Sequence, residues 1–224
     1  STGNVGRVIV CVAANPSIDK LFEVELLVLG DIHRPIGFVQ TAGGKGFNVA
    51  RAAHSLGADV RVAAILRGHA GRWLEETLQA EGIGGAFVWA HGENRSSLSV
   101  ADREAGTLTE FYEHGPDTPV AVWAEFVDAA SRLFRPQSWL TISGSMPRGL
   151  PEDGYRDLVA EFVSDLGGAE VPRVEQLAGH AALAAVDLEA FPPVHPYRDG
   201  EVELSEAAVG VGNLEEPAVG VGLG

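Results

Sequence analysis

Seven of the eight residues from Arg7 to Ala14, RVIVCVAA, are consecutive apolar side chains, several of them β-branched. Successive side chains of a strand point to opposite faces, so this run buries both faces at once. A strand of that kind needs cover above and below, and parallel sheets obtain it from helices. The following sequence is patterned to supply such helices. After Gly46, Val49, Ala52, Ala53 and Leu56 fall at i, i+3, i+4 and i+7 and predict one apolar helix face, with Gly57 placed to end it. DVRVAAIL (Asp59–Leu66) reads as a second buried strand, GRWLEETLQAEGI (Gly71–Ile83) as an amphipathic helix stopped by Gly82, and GAFVWA (Gly85–Ala90) as a third strand. NPSID (Asn15–Asp19) reads as a turn, because Asn-Pro interrupts regular structure. Phe22 to Gln40 reads as extended and exposed, a flap. Alternation of strand and helix predicts an α/β fold with a mostly parallel sheet.

Further along, two alternating polar–apolar runs flank DREAG between Arg95 and Gly115 and predict a half-exposed hairpin. DTPVAVWAEFVDAASRLF predicts a helix, with Thr118 as N-cap, Pro119 in the first position, and Trp123, Phe126, Val127 and Ala130 as its buried stripe. SWLTISGSMPRG is strand then loop, and LPEDGYRDLVAEFVSDLG a further helix. From residue 167 onward the composition shifts to ten acidic residues against two arginines, with AVGVG occurring twice. Residues 167–224 therefore read as an atypical, acidic, Gly- and Pro-containing tail, and residues 1–166 as one α/β domain.

The formal charge of −15 argues against nucleic acid and anionic membranes as partners, since both demand a basic footprint. The absence of an apolar run long enough to span a bilayer and the lone Cys11, set in an apolar strand, lead to the expectation of a cytoplasmic protein. The seven histidines have no metal-ligand spacing. A small anionic ligand is compatible with an acidic protein if a local cluster of cations and amides holds it. Only two of the sixteen basic residues are lysines, and one of them, Lys45, lies within TAGGKGFNVARAAHSLG (Thr41–Gly57). Glycines let a backbone approach a ligand, and a helix start presents unpaired N–H groups and partial positive charge. Together with Lys45 and Asn48 they suit an oxygen-rich anion, although a tight turn alone would also use glycines. Neither the dinucleotide fingerprint nor the P-loop fits, because both follow the first strand directly and this stretch does not.

NPSID, GGKGFNVARAAHSLG (Gly43–Gly57), NRSSLSV (Asn94–Val100) and SGSMPRG (Ser143–Gly149) occur in the order and spacing of the ribokinase/PfkB carbohydrate kinases. Over residues 7–165 the chain most resembles their sugar-phosphate branch, the 1-phosphofructokinases and tagatose-6-phosphate kinases. The resemblance implies a three-layer sandwich with a small β lid, here in segments of about 21–41 and 95–113. It also implies transfer of a phosphoryl group from ATP with Mg2+ to a hydroxyl of a sugar phosphate: fructose 1-phosphate, fructose 6-phosphate or tagatose 6-phosphate. Carried over residue by residue, Asp19 binds sugar hydroxyls, and Gly43, Gly44, Lys45 and Asn48 line the substrate. Arg95 holds its phosphate from the lid, and Ser145 adds a contact. The resemblance also implies an assisting role for Arg34, on the first lid segment, and a homodimer through the lid.

The resemblance fades beyond Leu166. The family's GAGD turn, whose aspartate takes the proton from the attacking hydroxyl, has no counterpart here; the nearest string is GVGN (Gly210–Asn213), and asparagine is no general base. No catalytic residue is assigned on this ground. Two readings follow: a sugar-phosphate kinase, or an incomplete and inactive member that at most binds sugar phosphate.

Overall fold

The computed structural model describes residues 8–134, 138–151, 153–165 and 209–211. Thirteen elements follow one another in these segments: β1 (Val8–Ala13), β2 (Ser17–Val24), β3 (Gly37–Gly43), α1 (Lys45–Ser55), β4 (Asp59–Arg67), α2 (Gly68–Ala80), β5 (Gly84–Ala90), β6 (Arg95–Asp102), β7 (Thr107–Tyr112), α3 (Val120–Ser131), β8 (Trp139–Ile142), α4 (Gly154–Asp165) and β9 (Val209–Val211). They form two sheets. The larger has the order β5-β4-β1-β8-β9, parallel except for β9. The smaller, order β3-β2-β6-β7, is mixed: β2 runs parallel to β6 and antiparallel to β3.

The double burial expected of β1 is present. Val10, Val12 and Ala14 pack into one core with Trp123, Phe126 and Ala130 of α3 and Leu158, Val159 and Phe162 of α4. Cys11 and Ala13 pack into the other, with Phe47, Ala50 and Ala53 of α1 and Leu74 and Leu78 of α2. The result is helix–sheet–helix layering around a central strand, an α/β three-layer fold. Burial pushes the Cys11 thiol up to about 12, so it behaves as a small apolar side chain. Among the described residues, no helix is long and apolar enough to cross a membrane.

Four local expectations need correction. The buried stripe of α1 is Gly46, Phe47, Ala50 and Ala53, while Leu56 is exposed. Gly46 brings the first turn of the helix against Val12 and Ala13 of β1, which turns the face carrying Phe47 and Ala50 to the core. Thr118 does not cap α3; the N-cap is Pro119, and Thr118 is buried, accepting a hydrogen bond from Arg67 instead. NPSID is a turn only through Asn15 and Pro16, and β2 starts at Ser17. Val209–Val211, placed above in an irregular tail, form a short strand on β8. Gly210 and Val211 of the GVGN string thus belong to a strand, while Gly212, Asn213 and the rest of the tail lie outside the described residues.

Candidate functional site

Ligand sites in open parallel sheets form beyond the carboxyl ends of the strands. Here the loops after β1 and β8, the β3–α1 junction and the first residue of β6 meet at that edge. Asn15, just past β1, is the joint between three of them. Its side-chain amide donates to Ser145 Oγ at 3.0 Å, and its carbonyl accepts from Arg95 Nε at 3.4 Å. Tyr155 of α4 donates to the Ser145 carbonyl at 3.1 Å and steadies the same loop. The Cβ of Lys45 lies 3.8 Å from where a Cβ on Gly144 would stand. Loops far apart in sequence are thus brought to one place by short polar contacts.

Asp19 lies in the interior of β2, opposite Thr41 of β3 and Ser97 of β6. Its Oδ1 accepts from the hydroxyls of Ser17 at 2.6 Å and Ser97 at 2.5 Å. Oδ2 receives only a long bond from the Gly44 amide, 3.4 Å. A carboxylate oxygen accepts more than one donor, so Oδ2 retains capacity for a ligand hydroxyl. Gly43 is required by this arrangement: a Cβ there would come within 1.9 Å of Asp19 Oδ2. Gly44, at φ 98°, is the N-cap of α1 and carries no side-chain capping bond. The first-turn amides of α1 therefore have no intrahelical acceptor, and the helix start is electropositive.

Lys45 is exposed at this helix start, and Ser145 is exposed opposite it. Arg95 is half-buried, with Nε engaged and its terminal nitrogens in none of the contacts found among the described residues. Asn48 lies one turn into α1, where its Oδ1 accepts from Arg51 at 3.2 Å; this orients the amide so that its NH2 faces away from Arg51. Arg51 also donates to the Ala42 carbonyl and pairs with Glu81 at 2.8 Å. Arg34, on the exposed β2–β3 connection, joins none of these contacts. Among the described residues no group of His, Cys, Asp or Glu could hold a metal ion.

Three participants escape a reading by motif. Asn15 is quoted within NPSID, but nothing in that string marks it as the joint. Ser97 is one of several serines in NRSSLSV, and only the β2–β6 register selects it. Arg67 ends β4 and is buried, donating to the His91 carbonyl at 2.7 Å and to Thr118 Oγ1 at 2.6 Å.

The model of the pfkB family carbohydrate kinases matches residues 12–160. The chain belongs to this family. The tagatose-6-phosphate kinase of Staphylococcus epidermidis is 33% identical over 151 residues, which are 67% of this chain and 48% of that protein. The phosphofructokinase-2 of Escherichia coli, solved in complex with fructose-6-phosphate, superposes with a TM-score of 0.65 at 24% identity, covering 71% of this chain and 52% of that one. A possible 1-phosphofructokinase of Thermotoga maritima gives 0.63 at 25% identity, covering 70% and 51%. The chain spans about half the length of the relatives it matches. The order and spacing of the four motifs point to this branch, and the three relatives named above carry the names of sugar-phosphate kinases.

Proposed function

We propose that this chain supplies the acceptor half of a sugar-phosphate kinase site, for a substrate of the fructose 1-phosphate, fructose 6-phosphate or tagatose 6-phosphate class. The observation that carries this reading is the convergence on one strand-end edge of a cation with free donors, a helix start and a positioned carboxylate. Arg95 suits the phosphate already on the sugar, because a guanidinium matches phosphate oxygens with paired donors. Lys45 and the α1 amides extend the positive potential. Asp19 Oδ2 and the Asn48 NH2 group offer an acceptor and a donor for sugar hydroxyls, and Gly43 and Gly44 let the ring approach the backbone. Ser145, held by Asn15, adds a hydroxyl.

ATP with Mg2+ is the donor this family membership implies, and it would supply the transferred phosphoryl group. The residues described here fit the acceptor, not the metal, and we assign none of them to metal or nucleotide. Transfer of this kind depends mainly on positioning and charge, and positioning is what Asp19, Asn15 and the loops they join provide. The alternative is a chain that binds sugar phosphate without turning it over.

Titrating the chain with fructose 6-phosphate, tagatose 6-phosphate and fructose, with ADP release from MgATP measured in parallel, separates these. Arg95→Ala is expected to weaken the phosphorylated sugars by roughly tenfold to a hundredfold, the loss of a charge-assisted bidentate contact, and to leave fructose little changed. Equal weakening of all three would refute the phosphate role of Arg95. ADP release above background would reject the inactive alternative.

A further inference from the structure

Arg95 borders a recess that is also lined by Asn15, Arg67, Asn94 and Thr118, with room for about one water molecule at most. Two of the residues that line it are arginines and none is acidic. Arg67 is only 5% exposed. Its side-chain partners, the His91 carbonyl and Thr118 Oγ1, are neutral, and it forms no ion pair among the described residues. Asn94 locks the same corner, accepting from the Arg67 backbone amide at 2.7 Å and donating to the Ile65 carbonyl at 3.2 Å. Buried charges are ordinarily paired, because removing an ion from water costs several kcal/mol. Burial accordingly pushes the Arg67 pKa down from its ordinary value, yet a guanidinium stays protonated at neutral pH. A positive charge is thus held in place next to Arg95 with its compensation left open.

Building on the acceptor site described above, we propose that Arg67 is a specificity-determining residue: a fixed charge whose counter-ion is the anion gripped by Arg95, so that it sets the preference for phosphorylated over unphosphorylated ligands. The recess is too small for a phosphate, so Arg67 acts across it by field, or through one bridging water, and not by direct contact. Its bonds to His91 and Thr118 keep the guanidinium from swinging out to solvent, which makes the charge permanent and costs no reordering when ligand arrives.

The test compares the full chain with Arg67→Gln, Arg67→Lys and Thr118→Val, titrated with inorganic phosphate, fructose 6-phosphate and fructose at two salt concentrations. Loss of the charge in Arg67→Gln is expected to weaken phosphate and fructose 6-phosphate on the order of tenfold, as for one partly screened charge, with fructose unchanged and a shallower salt dependence. Arg67→Lys and Thr118→Val, which keep the charge, are expected to retain most of the anion affinity. An Arg67→Gln chain that binds all three as the parent does, or loses all three equally, overturns the proposal; the second result would mean that Arg67 only braces the loops. Should Arg67→Gln not fold, the Arg67 Nε–H resonance of the parent chain decides: it must shift on adding phosphate, and a resonance that stays put while that of Arg95 moves overturns the proposal. A parent that binds phosphate but no sugar phosphate removes the sugar-kinase reading and leaves the role of Arg67 standing. A parent that binds neither removes both.

Discussion

Glycine at positions 43 and 46 is demanded by different neighbours. At Gly43 the obstacle is the Asp19 carboxylate, so the residue is tied to ligand chemistry. At Gly46 it is the core: a Cβ would stand 2.6 Å from both the Ala13 side chain and the Val12 carbonyl. Replacing glycine by alanine within a helix normally stabilises by about 0.5–1 kcal/mol. Gly46→Ala is expected to do the opposite, costing about 1–3 kcal/mol in urea unfolding, because overpacking against β1 outweighs the backbone gain. A neutral or stabilising result would mean that α1 can lift off the sheet without penalty. The flexible residues beside Lys45 are thus explained twice over, since the helix must start close to both the aspartate and the central strand.

The start of α2 depends on a residue far from it in sequence. Arg67, its N-cap, supplies no side-chain capping bond, and the Glu93 carboxylate takes the role, accepting from the amides of Ala70 at 2.9 Å and His69 at 3.0 Å. These bonds, that from Ala70 foremost, lower the Glu93 pKa from 4.5 to about 2. A depressed carboxylate contributes stability that is complete above its unfolded pKa and lost as pH falls through the folded one. The parent chain is therefore expected to be more stable than Glu93→Gln above about pH 5, with the difference shrinking toward pH 2; hydrogen exchange at the His69 and Ala70 amides would follow it. A difference independent of pH would show that the carboxylate charge plays no part. Elements of this kind set the limit of what could be read in advance. The strands and helices were legible because burial on both faces leaves unbroken apolar runs, and helices leave a 3.6-residue period. Thr118, Glu93 and Ser97 were not, since a polar side chain shows no sign in sequence of which distant loop will present its partner. Asp19, Gly43, Gly44, Lys45, Asn48, Arg95 and Ser145 are named by motif order alone; the contacts that set Asp19 against Gly44 and link Arg95 to Ser145 through Asn15 required coordinates.

At the level of the whole molecule, the smaller sheet leaves apolar side chains in water on both of its faces. Leu21, Val39 and Leu108 are exposed on the face that carries Asp19, and Phe38 and Phe111 on the other. Such patches mark contact surfaces. If two copies pair through this sheet, as the resemblance of the lid implies, Phe111→Glu is expected to shift the chain toward monomer in sedimentation equilibrium, by at least tenfold in dissociation constant, as one buried interfacial charge would. Sedimentation unchanged by the substitution, or a parent chain that is monomeric throughout, would dismiss the association. The internal pairing of that sheet has a different outcome. β2 and β6 lie side by side in parallel, so no hairpin can join them, and the hydrogen bond from Ser97 to Asp19 closes a separation of 78 residues. Contacts so distant along the chain are the slowest to be made. Everything from β3 to β5 lies between the two partners, so the Asp19–Ser97 contact waits on a longer closure than the antiparallel β2–β3 and β6–β7 pairings on either side of it, and the order in which the lid assembles runs from its edges inward.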